Sequence, residues 1–261
     1  GYVRAIAPDG GLKGGKITLP FPSVGATENA LMAAVAAEGT TVLRNAASEP
    51  HVQDLAEFLV AIGAKIEGIG TNTMAVHGTT SFRGATYDIG PDHIEVGSLI
   101  GLAAVTGSDL RIKDAGVAHL RAIRMNFERL GVECAVDGND ILVAADQDMR
   151  IHPDLGGHIP KIEDQPWPAF PADLMSIAVV TATQCEGVIL IFEKMFESRL
   201  FFVDKLISMG ARIVLCDPHR VLVTGPSKLR AANLTSPDIR AGMALLIAAM
   251  CAEGTSIIHN A

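Results

Sequence analysis

Aromatic side chains, paired cysteines and positive charge are all scarce in this sequence. Aromatic residues make up 5% of the 261 residues, so the hydrophobic core must be mainly aliphatic. Lysine and arginine number 21 against 29 aspartates and glutamates, which gives a formal net charge of −8. Proteins that bind nucleic acid need clustered positive charge to neutralise phosphates, so we expect no nucleic-acid partner.

The cysteines form no CxxC motif of the kind used for metal binding or redox chemistry. Each lies in an apolar run, which predicts buried free thiols in a reducing cytoplasm and no metal site. These residues are Cys134, Cys185, Cys216 and Cys251. We also expect neither a signal peptide nor a membrane span, since charged or polar residues interrupt every apolar run. The predicted location is therefore cytoplasmic, with no membrane partner.

What the sequence does contain is an internal repeat. Four segments share one plan, in which an acidic or small residue precedes an alanine-rich helix, a glycine and a strand. The shared glycines are Gly39, Gly107, Gly187 and Gly254. The words EGTTVLRNA, from Glu38, and EGTSIIHNA, from Glu253, are almost the same. Such self-similarity predicts structural units that stack on one another.

After each of the first three strands, the sequence predicts an amphipathic helix and then a hairpin. The helices are expected to end at glycines suited to a left-handed cap, namely Gly63, Gly131 and Gly210. A further strand is expected to lead into the units at GGKITLP, GATYDIG and AANLTSP. The repeat is therefore a βαβαββ unit of roughly 70 residues, and the predicted fold class is α/β.

Both ends of the chain fall inside this repeat plan. The opening letters GYVRAIAP match the last hairpin strand of a unit, and the segment from Asp238 stops after its first strand. We therefore expect an internal portion of a longer protein. In isolation, such a portion is expected to leave sheet edges and an apolar helix face uncovered.

The starts of the four repeated helices carry the first candidate site residues. Ser23, Asp92, Asp173 and Asp238 stand at or near these starts. Side-chain capping of free helix amides is the simplest role for such residues. If the repeats surround a pseudo-symmetry axis, however, the positive ends of the helices would point the same way and attract an anion.

Two segments break the repeat pattern. EDQPWPAFPADL, at 163–174, holds the only tryptophan and three prolines. FEKMFESRLFF, at 192–202, places Glu197 and Arg199 at the next helix start. A local ion pair is one interpretation of those two charges. A functional site is the other, because regular repeats are often interrupted where a site is built.

Four motifs together resemble the UDP-N-acetylglucosamine 1-carboxyvinyltransferases, a family of enolpyruvyl transferases. They are PSVGATEN, PAFPADL, MFESRLFF and DIRAGMALLIAAMCAEGTS, and they occur in the family's order. The resemblance implies an inverse α/β-barrel-like fold with two domains of three βαβαββ units each. Residues 1–90 would form the last repeat of the first globular domain. Residues 91–261 would form a second globular domain that is incomplete at its C-terminal end.

The resemblance also implies a reaction. The enolpyruvyl group of phosphoenolpyruvate is transferred to the 3′-hydroxyl of UDP-N-acetylglucosamine and phosphate is released, the first committed step of peptidoglycan synthesis. The reaction proceeds by addition and elimination, without a metal or an organic cofactor. It requires a base near the hydroxyl, a proton donor for the methylene carbon, and cations for the anionic substrate.

Residue roles follow from the resemblance position by position. Asp173 would face the sugar hydroxyl as the base, and Met195 would touch the sugar. The phosphoenolpyruvate site would be surrounded by Arg199, Asp238 and Arg240. The arginine guanidinium is apt there, because its planar fork binds carboxylate and phosphate.

The nucleotide would be held by a loop of the first repeat. The resemblance implies that Ser23, Val24 and Gly25 hold the UDP diphosphate. It places Phe21 and Pro22 at the uridine side of the same site.

The sequence also departs from the family. Trp167 stands where many relatives have histidine. The family's N-terminal Lys-Asn pair, its mobile cysteine-bearing loop and a late arginine have no counterpart, so we assign no proton donor. We expect the 261-residue chain alone to be inactive for this reason.

Three other functions compete with this interpretation. An enzyme like 5-enolpyruvylshikimate-3-phosphate synthase would need a phosphate pocket in place of SVGATEN. A non-catalytic repeat protein, such as a clamp around DNA, would need lysine and arginine on inner helices such as NALMAAVAAEG, which has neither. An inactive relative used as a binding module remains open.

Overall fold

In a computed structural model of the chain, the described residues are 4, 6–7 and 10–260. The chain divides into two compact units, Gly1–Gly90 and Pro91–Ala261. Each unit has its own hydrophobic core. The assignment of these units to a first-domain repeat and an incomplete second domain stays a prediction. The strand expected in GYVRAIAP falls largely outside the described residues.

The first unit is one complete βαβαββ repeat. Its elements are β1 (Lys16–Thr18), α1 (Val24–Val35), β2 (Thr40–Arg44), α2 (Pro50–Ala61), β3 (Lys65–Glu67) and β4 (Thr73–His77). They form a four-stranded sheet in the order β1-β2-β4-β3, with β1 parallel to β2. The core between helices and sheet is aliphatic, as the composition predicts, and includes Leu31, Val52, Leu43 and Val76.

The second unit continues the same plan. Its helices are α3 (His93–Thr106), α4 (Arg121–Glu128), α5 (Met175–Ala182), α6 (Val203–Ser208) and α7 (Ile239–Cys251). Its first strands are β5 (Leu110–Ile112), β6 (Cys134–Asp137), β7 (Asp140–Val143) and β8 (Lys161–Glu163). Its later strands are β9 (Gly187–Phe192), β10 (Arg212–Asp217), β11 (Arg220–Gly225), β12 (Asn233–Thr235) and β13 (Ile257–His259). The sheet orders are β5-β7-β6, β10-β11-β9-β8 and β12-β13. The predicted order of helix, strand, helix and hairpin is confirmed.

The helices α3, α5 and α7 pack together in the middle of the second unit, and every residue of α5 is buried. Close packing of α3 on α5 depends on glycine. A Cβ atom at Gly101 would lie 2.7 Å from Ile177 Cγ2, closer than two carbon atoms can approach. On α7, by contrast, an apolar stripe is exposed, formed by Ile239, Met243, Leu246 and Met250.

The strand predicted in GATYDIG is absent, since none of residues 84–90 is in a strand. The segment is held on α2 by side-chain hydrogen bonds. Tyr87 Oη donates to Asp54 Oδ1 at 2.9 Å, and Gly90 N donates to the same oxygen at 3.1 Å. These bonds tie the segment to a helix and not to a neighbouring strand. Residues 84–90 therefore form no strand, although their residue types favour one. The other repeats do have leading strands, β1, β8 and β12, each parallel to its neighbour. Of these, β8 was missed by the sequence analysis.

The cysteines are only partly as expected. Cys134 and Cys185 are buried and Cys251 is half-buried, but Cys216 is exposed. The prediction fails at Cys216 because β10 is the outer strand of its sheet, where an apolar run need not be covered. Burial raises the pKa of Cys185 to about 12, so this thiol stays protonated at neutral pH.

Within residues 4, 6–7 and 10–260, no three His, Cys, Asp or Glu side chains form a metal-binding group. No helix in that part is long and apolar enough to cross a membrane.

Candidate functional site

Three of the four repeated helices begin with the side-chain cap that the sequence predicts. Ser23 Oγ accepts from Ala26 N at 3.3 Å, and Asp92 Oδ1 accepts from Ile94 N at 2.8 Å. Asp238 Oδ1 accepts from Arg240 N at 2.8 Å. These side chains satisfy amides that the first helical turn leaves free.

Asp173 differs from the other three residues. It lies in a 3₁₀ turn, Ala172–Leu174, just before α5, and that turn has no side-chain cap. Its carboxylate is instead shared by two arginines. Arg199 Nη1 donates to Oδ1 at 2.6 Å, and Arg240 Nη2 lies 2.8 Å from Oδ2. The capping interpretation is therefore wrong for Asp173, because the 3₁₀ turn directs its carboxylate at the guanidinium groups.

The three charged side chains come from three different elements of the second unit. Asp173 precedes α5, Arg199 opens the 3₁₀ turn before α6, and Arg240 lies in the first turn of α7. Each is about one-third exposed, with side-chain accessibilities of 31%, 31% and 38%. The two arginines carry one positive charge more than the aspartate between them. Each guanidinium also keeps N–H donors that Asp173 does not occupy, so this Asp173–Arg199–Arg240 cluster can bind an anion.

Two cavities adjoin the cluster. One has room for a single water molecule, at about 10 Å³, and its lining includes Glu193, Arg199, Asp238 and Arg240. The other is an open cleft of about 200 Å³ whose lining includes Asp92, Asp173 and Arg240. The structure therefore brings together all four residues predicted as catalytic, Asp173, Arg199, Asp238 and Arg240.

Glu197 and Arg199, both of which the structure describes, do not form the local ion pair. The chain turns at Ser198, whose φ is 65°, and Arg199 points away from its neighbour to Asp173. The Arg199 guanidinium also lies 4.1 Å from the centre of the Phe196 ring. This cation–π contact stabilises the arginine without neutralising its charge.

The predicted nucleotide loop lies in the first unit. Phe21 and Pro22 precede α1, Ser23 caps it, and Val24 and Gly25 form its first turn. Phe21 is exposed, and a Cβ atom at Gly25 would have no neighbour within 4 Å. The loop is therefore an open helix start. Met195, the other predicted sugar contact, lies in the second unit just after β9 and is half-buried.

Trp167 packs between two histidines of the second unit. Its ring centre is 5.3 Å from that of His93, in an edge-on arrangement, and 6.0 Å from that of His119. His93 is buried, so the tryptophan extends the core towards the irregular segment that contains it. No substrate contact is assigned to this residue, which stands where many relatives have histidine.

One pair of polar residues beside the site was not predicted from the sequence. Asp164 and Glu193 are both fully buried. Burial, followed by the hydrogen bond with Asp164, raises the pKa of Glu193 to about 9, so this carboxyl group is protonated at neutral pH. Both residues lie in the two irregular segments, each directly after a strand, although only Glu193 follows an apolar one. That position was the only available signal, and it does not distinguish a buried acid from an exposed one.

Comparisons with known proteins agree with this architecture. A family model described as EPSP synthase (3-phosphoshikimate 1-carboxyvinyltransferase) matches residues 2–261. A solved structure, the enolpyruvyl transferase NikO from Streptomyces tendae, is similar with a TM-score of 0.78 and 25% identity. That match covers 92% of this chain and 56% of the other. The expected enolpyruvyl transferase fold is thereby confirmed.

Curated relatives are more similar in sequence. UDP-N-acetylglucosamine 1-carboxyvinyltransferase from Bradyrhizobium diazoefficiens is 74% identical over 250 residues, which are 96% of this chain and 58% of the relative. The protein of the same name from Treponema pallidum is 59% identical, over 95% of this chain and 59% of the relative. The chain thus spans less than two-thirds of the length of these relatives. The family model, however, matches nearly all of this chain, which therefore belongs to the EPSP synthase (3-phosphoshikimate 1-carboxyvinyltransferase) family.

Proposed function

We propose that this chain carries part of the active site of an enzyme that transfers the enolpyruvyl group of phosphoenolpyruvate to the 3′-hydroxyl of UDP-N-acetylglucosamine. The observation that carries the proposal is the Asp173 carboxylate held between Arg199 and Arg240. This arrangement combines a base with the cations that the carboxylate and phosphate of the substrate need. The names of the 74% and 59% identical relatives support the same acceptor.

Phosphoenolpyruvate and Asp173 compete for the same two guanidinium groups. When the carboxylate or phosphate of the substrate binds Arg199 and Arg240, these arginines release the Asp173 oxygens. The freed carboxylate then takes the proton of the sugar hydroxyl while the hydroxyl oxygen attacks C2 of phosphoenolpyruvate. Binding of the donor thus activates the base, and an empty site keeps it neutralised.

The rest of the reaction restores the double bond. Addition places a proton on C3 of phosphoenolpyruvate, from a donor that we assign to no residue of this chain. Elimination then removes a proton from C3 and expels phosphate from C2, which leaves the enolpyruvyl ether on the sugar. Asp238 caps α7. Its Oδ1 accepts a hydrogen bond from the backbone N–H of Arg240, which fixes the position of Arg240 in the first turn of the helix.

The nucleotide is assigned to the open start of α1. Residues Ser23, Val24 and Gly25 offer amides at the positive end of a helix, which suits a diphosphate. Phe21 and Pro22 flank the uridine, and Met195 touches the sugar. The reaction needs no metal or organic cofactor, and we place it in the cytoplasm as the first committed step of peptidoglycan synthesis.

A chimera tests this function. This chain replaces the matching 250 residues of the Bradyrhizobium diazoefficiens relative. The chimera is given phosphoenolpyruvate with either UDP-N-acetylglucosamine or shikimate 3-phosphate. We expect phosphate release and an enolpyruvyl product only with the nucleotide sugar. Turnover with shikimate 3-phosphate alone would instead support the sister activity, and a folded chimera active on neither would refute the proposal.

A further inference from the structure

Two buried acids lie side by side at the ends of parallel strands. The strands β8 and β9 pair in register up to Glu163 and Phe192, and the next residues are Asp164 and Glu193. Both side chains are fully buried. Two ionised carboxylates in one buried place repel each other strongly, so one of them must hold a proton.

The hydrogen bonds identify which acid is charged. Asp164 uses both oxygens as acceptors, from Lys194 N at 2.5 Å and from Met195 N at 3.1 Å. Glu193 accepts through Oε1 alone, from Phe196 N at 3.2 Å. Its Oε2 is buried and receives no hydrogen bond from the described residues. The side-chain hydrogen bond between Glu193 and Asp164 requires a proton on one of the two carboxyl groups, and a proton on Glu193 Oε2 would give that oxygen the partner it otherwise lacks.

We propose that Asp164 and protonated Glu193 form a carboxyl latch, a pair of positioning residues that fixes the turn at 194–196 and thereby holds Arg199 in place at the candidate anion site. The catalytic meaning of the latch rests on the proposed function. Its structural content, the charge on Asp164 and the proton on Glu193, stands independently of that function.

The latch reaches the candidate site through one aromatic ring. It binds three successive amides, and the last of these belongs to Phe196. The Phe196 ring lies under the Arg199 guanidinium at 4.1 Å, and Arg199 in turn reaches Asp173 at 2.6 Å. A turn released from the latch would no longer fix the ring, and the arginine would lose its support.

The charges around Glu193 keep its proton in place. Asp164 faces it from the end of β8 and raises its pKa, whereas the positive charge of Arg199 lowers it. His219, from the β10–β11 turn, contacts the backbone of Glu193: its Nδ1 lies 2.9 Å from the Glu193 carbonyl oxygen, and its own carbonyl oxygen accepts from Glu193 N at 2.8 Å. Burial is the largest influence and gives a pKa of about 9. Glu193 is therefore a neutral donor throughout the physiological range.

Amide substitutions in the chimera separate the two acids. Glu193→Gln keeps a neutral donor towards Asp164, so we expect a KM for phosphoenolpyruvate within about twofold of the unchanged chimera. Asp164→Asn turns an amide donor towards a backbone N–H, so we expect this KM to rise about tenfold or more. Glu193→Met keeps the volume but donates nothing, and should act in the same direction as Asp164→Asn. The matched control is Glu186→Gln, an exposed acid at the other end of β9.

Hydrogen exchange of the 261-residue chain supplies a readout that needs no activity. We expect the amides of residues 194–196 to exchange about tenfold faster in Asp164→Asn and to be unchanged in Glu193→Gln. The amides of Ile189 and Ile191, inside β9, report whether each variant is folded. An inactive parent chimera would refute the proposed function. The exchange rates would still show whether Asp164 and Glu193 fix the turn at 194–196.

Three results would overturn the latch. The first is a Glu193→Gln variant as impaired as Asp164→Asn. The second is an Asp164→Asn variant with unchanged exchange at 194–196. The third is loosening of the turn with no change in the KM for phosphoenolpyruvate, which would reduce the pair to a structural role.

Discussion

At the residue scale, the site depends on a carboxylate that two arginines share. Asp173 gives one oxygen to Arg199 and the other to Arg240, at 2.6 and 2.8 Å. Removal of its charge would leave the arginines free for phosphoenolpyruvate. Substitution of Asp173 therefore should not weaken donor binding, although it removes the proposed base.

Asp173→Asn in the chimera tests this separation of roles. We expect kcat to fall by about 10²–10⁴, the usual contribution of a general base, with a KM for phosphoenolpyruvate that is unchanged or lower. Steady-state phosphate release measures both constants. Asp204→Asn, which removes an exposed carboxylate paired with Lys205, is the control. A kcat near that of the control would remove Asp173 from the base role.

Glu193 predicts a dependence of stability on pH. Its pKa is about 9 in the folded chain, against an ordinary value of 4.5, so the folded state holds a proton that the unfolded state releases. Between pH 4.5 and 9 this group therefore lowers the free energy of unfolding as pH rises, by up to about 1.4 kcal/mol per unit.

The comparison with Glu193→Gln isolates this contribution, because other titrating groups are common to both chains. Chemical denaturation at pH 5, 6, 7 and 8 should show Glu193→Gln gaining stability relative to the unchanged chain at each step. A constant difference across this range would mean that Glu193 is ionised in the folded state.

Single residues were predictable only where local chemistry decides their role. Ser23, Asp92 and Asp238 were recognisable as helix caps, because capping depends on a few neighbouring amides. The partners of Asp173 are 26 and 67 positions away in sequence, and only the resemblance brought them together. Glu193 was invisible, since burial of an acid is decided by packing against distant strands.

At the element scale, the tight packing of α3 on α5 makes a testable demand. A Cβ at Gly101 would lie 2.7 Å from Ile177 Cγ2 and 3.0 Å from Thr181 Oγ1. We expect Gly101→Ala to lower the free energy of unfolding by about 1–3 kcal/mol, because an overpacked core must shift. Urea denaturation measures the change. Gly25→Ala, where a Cβ has no neighbour, should stay near the unchanged chain, and equal stability of the two variants would contradict the tight contact.

The start of α1 tests the nucleotide assignment. Gly25 has room for a larger side chain, so Gly25→Asp should fold normally. Its negative charge would stand where the UDP diphosphate is expected, and we predict at least about tenfold weaker binding of UDP-N-acetylglucosamine by the chimera. Calorimetric titration gives the affinity, with Gly25→Ala as the uncharged control. Equal affinity in Gly25→Asp and the unchanged chimera would exclude this loop from the site.

Elements were predictable where periodicity and turn chemistry agree. The hairpins β3–β4, β6–β7 and β10–β11 all form after the amphipathic helices, as predicted. The GATYDIG strand failed because hydrogen bonds from Tyr87 and Gly90 to Asp54 fix that segment on a helix. Strand β8 was not predicted, since its three residues are one isoleucine between two charged side chains.

At the scale of the whole molecule, the chain holds some of the groups that the reaction requires. The anion-binding arginines and the proposed base lie in the second unit, and the proposed nucleotide loop lies in the first. The proton donor and two further cationic contacts that the resemblance implies have no counterpart in the sequence. We therefore predict no turnover by the 261-residue chain alone, because phosphoenolpyruvate would stay hydrated and poorly oriented.

Phosphate release from phosphoenolpyruvate, dependent on UDP-N-acetylglucosamine, tests the central claim most directly. The chimera, the Bradyrhizobium diazoefficiens relative and the 261-residue chain are assayed side by side at equal concentration. The account predicts a rate for the chimera within about tenfold of the relative and no release above background by the 261-residue chain. A folded chimera without sugar-dependent release, or release by the short chain at the rate of the relative, would contradict it.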